Sequence, residues 1–290
     1  MASISGQTIL GEKPRRVIQP TRGWASLHLA ELWEYRELMY FLTWRDVKVR
    51  YKQAVLGVAW AILQPVLTMV VFTVVFNKIM KVPYTPYIVN GKAVPYAIFT
   101  YAALLPWQLF SGALQRSGSS LTGNANLLTK VYFPRLIMPI SGVIGGLVDF
   151  AISFVVFLVL MAAYGITPTW EVVWLPLLVL LAMATALAFG LWLSSLNVLY
   201  RDVQYVIPFM VQLWMFASPV VYSPHFSKPL YRFLYALNPM AGVINGFRWA
   251  LIGGSPPSGT TFLSTVIVVF LLVSGLMYFK RMERTFADVI

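Results

Sequence analysis

The 290-residue sequence is 59% hydrophobic and only 11% charged, has a net charge of +12 and contains no cysteine. Its mean hydropathy of +0.72 is too high for a soluble protein of this length, whose helices must keep a wet face. Disulfides and thiolate metal sites are excluded, and the 22 Lys and Arg form no single patch of the kind that holds nucleic acid.

Residues 1–26 read as a flexible cytoplasmic lead, polar, basic and broken by Gly6, Gly11, Pro14, Pro20 and Gly23. The first 54 residues show no apolar core of the length a signal peptide needs. Residues 27–52 follow as an amphipathic helix and a basic pre-span segment. Leu27, Leu32, Trp33, Leu38, Met39, Phe41 and Leu42 alternate there with His28, Glu31, Glu34, Arg36 and Glu37. A helix of that pattern lies in the plane of the lipid headgroups or packs on a partner protein. Arg45, Asp46, Lys48, Arg50 and Lys52 then crowd the approach to the first apolar run. Charges at that density belong at a water boundary, since each costs ~2.5–3.5 kcal/mol at the bilayer centre.

Six apolar stretches make up a permease-like domain over 53–280, ahead of a tail at 281–290. They are Gln53–Asn77, Ala93–Gln115, Leu136–Trp170, Val172–Tyr200, Val203–Pro224 and Trp249–Phe279. Each supplies the ~20 residues that a helix needs to cross ~30 Å of hydrocarbon. The expected fold is therefore an all-α integral membrane protein with six transmembrane helices. An even number puts both termini on one face, which collects sixteen of the 22 Lys and Arg against six on the other. The positive-inside rule makes that face cytoplasmic. No internal repeat stands out.

Between the second and third stretches, Ser117, Gly118, Ser119, Ser120, Gly123, Asn124 and Asn126 supply breaks and caps. Leu127, Leu128, Val131, Tyr132 and Phe133 then form a compact apolar face that ends at Pro134. Such a face requires a cover, either a partner protein or the chain's own spans. On the opposite side, residues 225–252 are too apolar for a loop and too interrupted to span, with breaks at Pro229, Arg232, Pro239, Gly242, Gly246 and Arg248. Short re-entrant helices fit this pattern, because irregular backbone at membrane depth survives only against protein or a water-filled cavity.

Asp149 is the single acid well inside a span, with no charge partner visible along the chain. A proton carrier and a helix-packing hydrogen bond both remain open for it. Trp60, Trp107, Phe110, Trp192, Trp214 and Phe216 are suited either to stacking on sugar faces or to the interfacial aromatic belt. Trp107 and Phe110 lie within a span and are the channel candidates. The sequence has no G-x-x-x-x-G-K-[ST] loop and no D-x-D pair, and His28 and His225 are its only histidines. P-loop ATP binding, sugar-nucleotide transfer and a His-based metal site are therefore not expected here.

Four strings occur in order: Arg45-Asp46-x-Lys48-x-Arg50-Tyr51 leading to Leu56-Gly57-x-x-Trp60 and Pro65; Asn126-Leu127-Leu128-Thr129-Lys130-Val131-Tyr132-Phe133-Pro134-Arg135; Asn197-Val198-x-Tyr200-Arg201-Asp202-Val203; and Asn238-Pro239-Met240 leading to Gly246-Phe247-Arg248. As an ordered set over about residues 30–280, they resemble the membrane subunit of ABC-type polysaccharide exporters, which move O-antigen, capsule and teichoic-acid polymers. The chain departs from that pattern in its longer lead and at Asn245, where an acidic residue would be expected.

The resemblance implies a homodimer working with two ATPase subunits, so that ATP and Mg sit on the partner and no cofactor sits on this chain. It implies a bacterial inner membrane as the location and a lipid-linked polysaccharide as the substrate. Asn126 to Pro134 would hold the coupling helix that meets the ATPase. Arg45, Asp46, Lys48, Arg50, Tyr51, Arg201 and Asp202 would form the cytoplasmic mouth, where the basic groups attract the pyrophosphate of the substrate. Asn238, Pro239 and Arg248 would belong to an extracytoplasmic gate. A drug or lipid exporter of the same build, and an ion-coupled carrier using Asp149, are the alternative readings.

Overall fold

The computed structural model describes residues 29–52, 57–82, 84, 86–89, 91–223, 229–257 and 259–286. The expected lead at 1–26, and both histidines, lie outside the described residues.

The chain begins with α1 (Leu29–Glu34) and α2 (Arg36–Lys52). Helix α3 (Gly57–Phe72) continues as a wider π-helical segment over Thr73–Ile79. A two-residue hairpin, β1 (Ile88–Val89) with β2 (Lys92–Ala93), turns at Gly91, whose φ of 74° suits a residue without Cβ. Then come α4 (Tyr96–Gly118), the short α5 (Ser120–Gly123) and α6 (Ala125–Lys130), α7 (Ile137–Ile144) and α8 (Gly146–Ala163). A 3₁₀ turn at Trp170–Trp174 leads into α9 (Leu175–Leu199), and α10 (Val203–Ala217), α11 (Pro229–Ala236), α12 (Pro239–Ile252) and α13 (Gly259–Met282) complete the fold.

Helix α4 is the axis of the molecule. It packs against α9, α12, α7, α8 and α3, and Tyr101 on it stacks on Phe157 of α8 at 5.7 Å. The crossing with α9 is close because it is made of small residues: a Cβ on Gly190 would lie 2.3 Å from Ser117 Oγ. Backbones approach in this way in lipid, where helix association depends on packing rather than on escape from water. A second apolar cluster caps one end of the bundle and includes Leu42, Leu121, Phe133, Ile137, Val198, Phe279 and Phe286. Arg45, Lys48, Arg50, Arg116, Lys130, Arg135 and Lys280 gather toward this basic end.

Among the described residues, five helical segments are long and apolar enough to cross a membrane: Ala59–Ile79, Tyr96–Gly118, Ile137–Ala163, Trp170–Leu199 and Thr261–Met282. The expected stretch Val203–Pro224 yields only the 15 residues of α10, about 22 Å at 1.5 Å per residue. Pro219 explains the stop, because it forces the preceding Ser218 out of helical geometry (φ −104°, ψ 150°). The last span also starts later than expected. Trp249 belongs to α12, which ends at the left-handed Gly253 (φ 65°) with a bond back to the Arg248 carbonyl.

The α1–α2 segment has two apolar faces where one was expected. Leu42 is buried, and Tyr35, Leu38 and Met39 lie on the same stripe against the basic-end cluster. Trp33, Tyr40, Phe41 and Trp44 point outward and are exposed. Spacings of three, four and seven residues produce both stripes, so one face is covered by the chain itself and the other presents aromatics to the surroundings.

Candidate functional site

A cavity of about 670 Å³ opens among the ends of α2, α3, α4 and α8. Its wall combines Trp60, Gln64, Gln108, Gln115 and Phe150 with four groups that converge on one another: Arg50, Tyr51, Arg116 and Asp149. Asp149 Oδ2 accepts hydrogen bonds from Arg50 Nη1 at 2.5 Å and from Arg116 Nη1 at 3.2 Å, while Oδ1 accepts from the Tyr51 phenol. The acid that seemed isolated in the sequence therefore has two cationic partners. Partial burial, then the bond and charge of Asp149, push the Tyr51 phenol up to about 12. It remains a hydrogen-bond donor at neutral pH.

Glycines make this convergence possible. On α8, a Cβ at Gly146 would meet Arg116 Nη2 at 2.6 Å, and on α7 a Cβ at Gly142 would lie 3.1 Å from the Arg116 backbone. The bare surface at Gly142 and Gly146 thus lets the end of α4 lie against α7 and α8, and Arg116 Nε donates to the Gly142 carbonyl at 3.1 Å. Arg116 is not among the residues expected at this mouth. The Gly142-Val143-Ile144-Gly145-Gly146 string opposite it was the available signal.

The other residues expected at this mouth disperse. Arg45 turns away from the cavity, binding Asp46 Oδ1 at 2.8 Å and Asn124 Oδ1 at 2.7 Å, and so ties α2 to the start of α6. Lys48 is exposed, as are Arg201 and Asp202 in the turn before α10, and none of the three lines the cavity. A helical advance of five residues separates Arg45 from Arg50 by about 140° at 3.6 residues per turn, so one basic string serves two sites.

In the expected coupling segment, α6 carries Asn126, Leu127, Leu128, Thr129 and Lys130, and the chain becomes extended at Val131. The apolar face is divided. Phe133 and Pro134 are buried and Leu127 and Leu128 pack against the basic-end cluster, leaving Val131 and Tyr132 exposed beside Asn126, Thr129 and Lys130. The next residue, Arg135, is fixed to the chain's end: its guanidinium donates to the Glu283 carbonyl and lies over the Phe286 ring.

At the opposite end, Asn238 joins two helices. Its Oδ1 accepts from Met240 N–H at 3.1 Å, capping α12, and from Trp214 Nε1 at 3.0 Å, while Nδ2 donates to Ser218 Oγ at 3.0 Å. Pro239 occupies the first helical turn and is buried. Arg248 is only 1% exposed; it donates to the Val220 carbonyl at 2.8 Å and covers the Phe99 ring at 3.6 Å. Asn245 donates to Tyr235 Oη at 3.0 Å. The channel candidates are core residues in this structure. Phe110 has no exposed surface and packs edge-on against Trp214 at 5.0 Å, and Trp107 is 4% exposed. Composition could not tell which side of α4 faced open space.

The pattern of the ABC-2 type transporter family matches residues 37–252, which run from the start of α2 to the end of α12. The chain belongs to the ABC-2 type transporter family. It is similar to the O-antigen export system permease protein RfbA of Myxococcus xanthus, at 33% identity over 90% of this chain and 98% of that protein. A protein of the same designation from Klebsiella pneumoniae is 27% identical over 88% of this chain and 95% of its own length. The polysialic acid transport protein KpsM of Escherichia coli is 24% identical over 82% and 91%, respectively. As an ABC-2 type transporter component, this chain is a multi-pass membrane subunit that implies an ATP-hydrolysing partner.

Proposed function

We propose that this chain is the permease of an exporter for lipid-linked polysaccharide, such as an O-antigen or capsular glycan. Two copies would combine with two ATPase subunits in the inner membrane of a bacterium. In this reading α10 and the segment beyond it complete a sixth crossing, and both termini are cytoplasmic. The near full-length similarity to O-antigen permeases carries the proposal. The wide cavity supports it, because amide and aromatic side chains suit sugars and two guanidiniums suit a phosphate anchor.

Arg50 and Arg116 would hold the diphosphate of the substrate, and Trp60 and the glutamines would meet its first sugars. ATP-driven closure of the partners would press on the exposed surface of α6 and on Val131 and Tyr132. Through Arg135 and Glu283 that movement would reach α13, and through Arg45 and Asn124 it would reach α2. Asn238 and Arg248 would then set the position of the outer helices α10 and α12.

Deleting the gene in its native bacterium should remove long-chain polysaccharide from the surface and leave lipid-linked polymer inside. A normal surface with no internal accumulation contradicts the substrate assignment. Tyr132→Ala should reduce co-purification of the ATPase subunit about tenfold, while an undiminished yield removes Tyr132 from the contact.

A further inference from the structure

Asp149 occupies both cavity guanidiniums at once. Its two oxygens accept hydrogen bonds from Arg50, Arg116 and the Tyr51 phenol. A phosphate group asks for the same set: charge-assisted N–H donors arranged around neighbouring oxygens. The side chains are neither sealed nor free, with Arg50 33%, Asp149 32% and Arg116 24% exposed. Ion pairs of that exposure are held weakly against water and exchange partners readily. Two cations against one carboxylate leave one positive charge over in a cavity whose remaining described wall is uncharged, mixing amide, hydroxyl, aromatic and aliphatic side chains.

We propose that Asp149 is a resident competitor for the substrate's phosphate groups and sets the selectivity of the cavity for a diphosphate over a monophosphate. The inference rests on the polysaccharide reading above. With Asp149 in place, an incoming anion must displace a carboxylate already bound by three donors. A single phosphate offers little more than the carboxylate it replaces. A diphosphate brings a second set of oxygens and more charge, so it bridges Arg50 and Arg116 together and repels Asp149 from both. Selectivity then comes from a built-in opponent as well as from attraction. Displacement also frees α8 from the end of α2, linking occupancy to two of the four elements that border the cavity.

The test uses the complex with its ATPase subunits in nanodiscs, nucleotide sites saturated with ADP, and titrates geranyl diphosphate and geranyl monophosphate. The wild-type complex should prefer the diphosphate. Asp149→Asn keeps the shape and removes the opposing charge, so it should tighten diphosphate binding on the order of tenfold and narrow the preference over the monophosphate. Arg50→Gln and Arg116→Gln should each weaken binding.

If the arginine variants weaken binding but Asp149→Asn leaves it unchanged or weaker, the carboxylate is only a brace; the inference falls and the polysaccharide reading stands. If none of the three variants changes binding, the cavity is not the phosphate site, and the proposed route of substrate uptake falls as well. Should Asp149→Asn fail to assemble, the comparison moves to Arg50→Gln against Arg50→Gln/Asp149→Asn. The double variant should bind the diphosphate more tightly than the single one, and equal affinity overturns the proposal.

Discussion

Two arginine sites at opposite ends of the molecule show how differently one side chain can be used. Arg248 is sealed: it is 1% exposed, bonded to main-chain carbonyls and covered by Phe99, with tyrosines 87, 96, 222 and 235 around it. Arg50 and Arg116 face an open cavity and share one carboxylate. A buried guanidinium fixed to carbonyls has no alternative partner, so its bonds are structural. A partly exposed guanidinium on a carboxylate can exchange that partner for water or another anion. On the proposed function, the contrast gives Arg248 a structural role and the cavity pair a binding one.

The largest effect should come from Arg248→Ala. It removes the cover of Phe99, leaves the Val220 carbonyl without its donor and opens a void, at a cost of about 3–5 kcal/mol. Thermal unfolding in detergent should show a large drop in Tm or a loss of monodisperse protein. Arg248→Lys should recover only part of it, since an ammonium lacks the planar fork. A near-normal Tm in both variants would erase the contrast.

Arg116→Gln should reduce export at least tenfold while the complex still assembles, because Asp149 keeps Arg50 and Tyr51. Asp149→Asn should cost about 1 kcal/mol or less in stability, as expected for pairs of this exposure. Raising the salt concentration should weaken anion binding at the cavity without lowering the contribution of Arg248, which is shielded from ions.

The smallest effect is expected for Tyr51→Phe, which removes one of three donors to Asp149. Its pH dependence has a defined sign. The phenol is raised from 10 to about 12 in the folded chain, so its stabilising share is complete below pH 10 and is lost as pH rises toward 12. Between pH 6 and 9 the stability difference between wild type and Tyr51→Phe should stay constant, and a change inside that window would point to another titrating group.

Much of this organisation was legible in the residues. Long apolar stretches separated by basic strings imposed a helical membrane protein, and the four ordered strings carried the family. What escaped was pairing at long range. Asp149 lies 99 residues from Arg50, and the glycine string at 142–146 marks a bare surface without saying that Arg116 is the residue it admits. The facing of side chains escaped too: Trp107 and Phe110 were channel candidates because they lie within a span, yet neighbouring helices enclose both. Pro219 stands in the sequence, but the hydropathy of the stretch alone does not show that the helix stops before it.

Membrane context also reverses the usual reading of burial. Tyr96–Gly118 is the least apolar of the five long segments and the most enclosed, whereas Thr261–Met282 is more apolar and mostly uncovered. Polar and small residues collect where helices meet, and the greasiest surfaces face lipid or a second copy.

The cavity assignment is tested most directly by export of lipid-linked polysaccharide from inside-out vesicles containing this chain and its ATPase subunits, comparing wild type with Arg116→Gln. The expected result is loss of ATP-dependent export in the variant with the complex intact. Undiminished export would contradict the placement of substrate at the Arg50–Arg116 cavity.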